Sequence, residues 1–136
     1  MDTTSSVVHM AFRTALLLAG ATKTAELAVL DGIDACENIS PRGLLIETVR
    51  CTIRRRTESP DVPDGINLLP SELRRLFDLQ PMSRDCFVLR ILVQLPPEVC
   101  AELLDISISE CEDALYRALN QLPLLSSFKV ARDAQG

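Results

Sequence analysis

The chain has 136 residues, room for one compact domain or two very small ones, and its 47% hydrophobic and 24% charged content is that of a globular protein, not a disordered acidic tail. Aromatic residues make up only 4%, with no Trp and one Tyr at 116, which argues against a carbohydrate platform or a base-stacking RNA surface. The net charge of −5 weighs against strong autonomous DNA binding, because that affinity comes largely from neutralised phosphates.

Nearly all of the chain has the apolar spacing of helices. Val7 to Ala19 places Val8, Ala11, Phe12, Ala15, Leu16 and Leu18 at helical intervals, and Gly20 is a natural stop. Thr22 or Thr24 is the expected cap of a second helix through Ala25, Leu27, Ala28, Leu30, Ile33 and Cys36. Ser40-Pro41 then reads as a cap followed by a first helical position. The third helix runs through Leu44, Leu45, Val49 and Ile53 and ends in Arg54-Arg55-Arg56, where positive charge suits a helix C-terminus. The stretch Thr57–Gly65 holds two prolines, a glycine and three acids, and is read as a linker.

Four short helices follow. Pro70 opens one through Leu73, Leu76 and Phe77; a second spans Met82 to Gln94; Pro97 starts a third through Val99 to Leu104. Ser107 with Glu110 three residues on forms a capping box for the fourth, which carries Cys111, Leu115, Ala118, Leu119 and Leu122 and is expected to end at Pro123. The tail from Leu124 is expected to be loosely held, with 131–136 frayed. The fold class is therefore all-α: two small helical bundles, the second a four-helix domain. The boundaries are 1–56, a linker at 57–66, 67–123, and a tail at 124–136.

Cys36, Cys51, Cys86, Cys100 and Cys111 are odd in number and contain no C-x-x-C pair, so they are expected to be reduced, buried packing residues of a cytoplasmic protein. A lone His9 leaves no zinc cluster and no catalytic triad, no phosphate-binding glycine loop is present, and the expectation is a non-enzyme without cofactor or metal. No apolar run approaches the about 18 residues of a membrane span. The start, Met1-Asp2-Thr3-Thr4, lacks the basic character of a signal peptide.

The most informative stretch is Pro97 to Cys111. A helix-turn-helix needs a small residue where its helices cross, a turn residue that tolerates the left-handed conformation, and a small apolar side chain four residues into the second helix. Ala101, Asp105 and Cys111 meet these needs in order. A plain helical hairpin is the alternative.

Leu69–Leu122 resembles the promoter-reading C-terminal domain of bacterial RNA polymerase sigma factors, in particular the extracytoplasmic-function group. The matching residues are Arg84, Phe87-Val88-Leu89-Arg90, Ala101-Glu102-Leu103-Leu104, Ser107 and Arg117-Ala118-Leu119. Ala11–Ile33 is similar to the first two helices of the family's other domain, and Pro41–Arg56 to its promoter-melting helix with a basic end. The resemblance implies a cytoplasmic partner of the RNA polymerase core that touches promoter DNA. It implies DNA contacts at Ser107, Ser109, Glu110, Asp113 and Arg117 and at Arg54, Arg55 and Arg56, and polymerase contacts at Glu26 and Asp31.

The departures are as telling. Ser107 to Leu122 holds three acids and one base, with Glu110, Glu112, Asp113 and Ala114 where the family presents basic or small polar residues. Such carboxylates repel phosphates, and their structural use is to stabilise a helix N-terminus. The interval from Ala25 to the arginines is shorter than in the family by about three turns of helix, and no aromatic lies between Phe12 and Phe77 to trap unstacked bases. The arginine cluster reads either as a nucleic-acid contact or as a solvated helix end paired with Glu58 and Asp61. The leading function is thus a divergent sigma-factor-like protein in transcription initiation, with weak promoter contact at most. The alternative is a sigma-derived protein–protein module, or a homodimer, that has lost DNA binding.

Overall fold

A computed structural model describes residues 3–37, 40–58 and 62–125. Among these, every regular element is helical, so the protein is all-α. The chain forms two compact units, Met1–Leu69 and Pro70–Gly136.

In the first unit, α1 (Thr3–Ala19), α2 (Thr22–Ala35) and α3 (Pro41–Glu58) pack on one another pairwise. Their core holds Val7, Ala11, Val29 and Leu44, with Val8, Phe12, Ile33 and Cys36 half-buried against it. Gly20 takes φ 74° and its N–H bonds Leu16 O at 2.7 Å, so the chain turns at the expected glycine. Ser40 caps α3, accepting from the Gly43 N–H at 3.1 Å.

The start of α2 differs from expectation. Its N-cap is Ala21, which has no side-chain cap, and neither Thr22 nor Thr24 occupies that position. The Thr22 N–H instead donates to Asp64 Oδ1 at 2.9 Å, across 42 residues of chain. Next to it, the Gly65 N–H donates to Gly20 O at 2.8 Å, and a Cβ at Gly65 would stand 2.5 Å from Leu16 Cδ1. The second part of the expected linker is therefore fastened to the α1–α2 corner. A 3₁₀ turn at Ile66–Leu68 and the buried Leu69 complete this unit. Thr57 and Glu58 still belong to α3.

The second unit begins with α4 (Ser71–Arg74), which tightens into a 3₁₀ turn at Arg75–Asp78. Next come α5 (Pro81–Phe87), α6 (Pro97–Leu104) and α7 (Ile108–Leu125). The helix expected from Met82 to Gln94 is α-helical only to Phe87 and continues as a π-helix over Val88–Leu92. Gln94, at φ 66°, closes it, with Leu95 N–H reaching back to Leu89 O at 2.9 Å. Val88, Leu89, Cys86, Cys100, Leu104, Cys111, Ala114 and Ala118 are buried.

Pro123 does not end α7, which runs on to Leu125. A proline forfeits one N–H bond and strains the turn before it, but it does not forbid a further turn. Residues 126–136, and with them the frayed end expected at 131–136, lie outside the described residues.

Candidate functional site

The sequence-predicted residues fall at three places. The first is the end of α3. Arg55 Nε bonds Asp31 Oδ2 at 2.7 Å, and Arg54 Nη2 lies 3.5 Å from the same oxygen. Arg56 Nη1 donates to Leu18 O at 2.8 Å, where a cation meets the carbonyl end of α1. The Arg55 hydrogen bond holds the Asp31 carboxyl below its ordinary value, and Asp31 in return raises Arg55.

The three arginines are thus engaged within their own unit, through a carboxylate 24 residues away and a backbone carbonyl. Of the expected partners, Asp61 lies outside the described residues, and Glu58 acts on Arg55 only through longer-range charge. Asp31, proposed from sequence as a polymerase contact, faces the arginines proposed as DNA contacts. The two assignments compete for the same atoms.

The second place is the α6–α7 turn. Asp105 adopts φ 59°, ψ 47°, the left-handed conformation. Ile106 N–H donates to Ala101 O at 3.0 Å and Asp105 N–H to Glu102 O at 3.2 Å, the paired bonds of a Schellman end. Ala101 is 5% exposed, and Cys111 is fully buried. Ser107 Oγ accepts from the Glu110 N–H at 3.0 Å, while Glu110 Oε1 accepts from the Ser107 N–H at 2.9 Å. That reciprocal pair holds the Glu110 carboxyl below its ordinary value. Ser107 and Glu110 therefore spend their polar atoms on the helix start, not on an external ligand.

What α7 leaves outward is different. Ser109, Glu112, Asp113 and Arg117 are exposed, and so are Ile108, Tyr116 and Leu119, at 45%, 67% and 45%. Leu119, expected with Cys111 and Ala118 in the apolar body of this helix, is exposed instead, and the exposed Ile108 was not singled out. Helical phase sets both on the flank of the helix, beside the buried side and not within it.

The third place is a groove between α1 and α2, about 400 Å³, lined by Val8, His9, Phe12, Glu26, Val29 and Leu30. Glu26 is exposed at its rim, so the two acids proposed for polymerase contact have separate fates.

The five cysteines are free thiols, of which four are buried; Cys36 is only half-buried, contrary to the expectation that all five are interior. Cys86, Cys100 and Cys111 are all fully buried, and Cys111 is near enough to the other two to raise both thiols. Burial pushes the Cys100 thiol up to about 12 and Cys86 higher still. Among the described residues, no group of three His, Cys, Asp or Glu is placed to hold a metal ion, and no helix is long and apolar enough to cross a membrane. No family model, curated protein or solved structure matches this chain.

Proposed function

We propose that this chain is a divergent sigma-factor-like protein that acts in transcription initiation through protein contacts with RNA polymerase, in the cytoplasm, with promoter DNA contact weak or absent. It has no catalytic activity and needs no cofactor in this reading. The observation that carries it is the α6–α7 pair. A small buried residue at Ala101, a left-handed Asp105 and an inward Cys111 are the features that a helix-turn-helix requires. The groove with Glu26 at its rim supports a polymerase contact on the first unit.

The engaged arginines and the acidic outer face of α7 favour the second reading, a sigma-derived interaction module without DNA binding. Few phosphates can be neutralised by these surfaces, so heparin or duplex DNA should release the protein at low salt and with a shallow salt dependence. Purification of the tagged chain from its native host tests the reading directly. Co-purifying polymerase subunits support it, and their absence at physiological salt overturns it. A submicromolar, sequence-specific DNA complex would restore a full promoter-reading role.

A further inference from the structure

From the outer face of α7 we infer that this helix is a docking surface for a basic amphipathic protein helix, an occupant that deepens the protein-contact reading above and rests on it. Ile108, Glu112, Tyr116 and Leu119 recur at intervals of three and four residues and form one stripe, with Asp113 beside it. All five are exposed. Cys111, Ala114 and Ala118 are buried on the side of the helix that adjoins Ile108 and Leu119, so the helix is anchored there and the stripe runs along its exposed flank. Apolar anchors at both ends, an aromatic ring and two carboxylates between them make a surface of mixed character.

Charge decides among the occupants. A phosphate backbone meets Glu112 and Asp113 first and is repelled. A second copy is disfavoured by symmetry. The middle of the stripe lies at 112–116, so a two-fold contact sets the Glu112–Asp113 pair of one copy against its own image near the axis. Like charges facing one another in a contact are costly. A helix that carries Lys or Arg one turn apart, flanked by apolar residues, satisfies the carboxylates and covers Ile108, Tyr116 and Leu119 together.

The test uses the full chain and a synthetic helical peptide of Leu and Lys at helical spacing, about five turns long. Titration is followed by fluorescence anisotropy. Binding of this peptide, and none of a Leu/Glu counterpart, is expected. The double variant E112K/D113K should weaken binding about tenfold, and Tyr116→Ala about fivefold. The pair E98K/E102K makes the same charge change at exposed positions of α6 and should leave affinity within about twofold.

Equal loss in both charge-reversal variants would mean unspecific attraction and would overturn the proposal, as would no binding at all. Direct binding of duplex DNA by the chain that Tyr116→Ala abolishes, or a dimer that Tyr116→Ala dissociates, would assign the face to one of the rejected occupants. Polymerase recovered from the host without peptide binding sinks only this inference. Peptide binding without polymerase sinks only the sigma-like reading.

Discussion

The arginine cluster at the end of α3 and the acidic face of α7 treat their charges differently. In the first unit the conspicuous charges pair with their own fold at its surface: Asp31 holds Arg54 and Arg55, Arg56 closes the end of α1, and Asp64 secures the start of α2. In the second, the Ser107–Glu110 box takes one carboxylate, while Glu112, Asp113 and Arg117 stay on the surface. The basic cluster is thus tied to its own fold, whereas the acids of the α7 face are not. What separates them is whether an opposite charge folds into reach.

The largest effect should come from the first unit's tightest approach. A Cβ at Gly32 would stand 2.6 Å from Thr48 Oγ1 and 3.1 Å from the Thr48 backbone nitrogen. Gly32→Leu must therefore force α2 from α3, at about 3 kcal/mol, the upper end of overpacking costs. Loss of helical signal at lower temperature in circular dichroism checks it; an unchanged melt would refute the close α2–α3 contact.

Next comes the matching approach in the second unit. Ala101→Leu should cost about 1–3 kcal/mol, whereas Glu102→Leu on the exposed side should change the melt little. Equal, small shifts for both would mean that the α6–α7 crossing is wrong.

The thiols supply a third, pH-dependent effect, strongest in the second unit, with Cys51 of the first also pushed up by burial. Below the ordinary value of 9.0, native and unfolded chains both keep their thiol protons, and stability is intact. As pH climbs from 9.0 toward about 12, the unfolded chain releases protons that native Cys86 and Cys100 hold, so stability falls. A disulfide reagent at pH 8 should label the four buried thiols slowly in the native state and fully after denaturation. Rapid native labelling of two or more would contradict this packing.

The smallest stability effect, and the sharpest for the comparison, is Asp31→Asn. The variant frees Arg54 and Arg55, so retention on heparin should rise while the melt drops less than in either packing variant. In the wild-type chain the Asp31 contribution is present above its ordinary value of 3.8 and is lost as pH falls through its lower folded value. No gain in heparin retention for the variant would mean that the arginines were never sequestered.

What could be read in the sequence was local. Ser40-Pro41, Pro97, the left-handed Asp105 and the Ser107–Glu110 box each depend on neighbours within a few residues, and each stands where expected. The fate of the arginines depended on Asp31, and the start of α2 on Asp64, partners 24 and 42 residues away. No periodicity reports such distances. The π-helix at Val88–Leu92 was hidden for another reason: its apolar pattern also suits an α-helix, and only the backbone bonds differ. Of the candidate contacts, Ser109, Asp113 and Arg117 stay exposed, Glu26 sits on a groove rim, and Ser107, Glu110 and Asp31 are committed to the fold.

The clasp formed by Asp64 and Gly65 on the α1–α2 corner also sets an order of events. Three helices are available once Glu58 has been synthesised, yet the bonds to Thr22 and Gly20 wait for residues that follow them. On the ribosome, where the N-terminal part of a chain folds first, the bundle is assembled before it is latched. Closing so long a loop carries an entropic cost that short caps avoid. A fragment ending at Arg56 trims the last residues of α3 and lacks the latch, so dissection of this protein should cut after Leu69 instead.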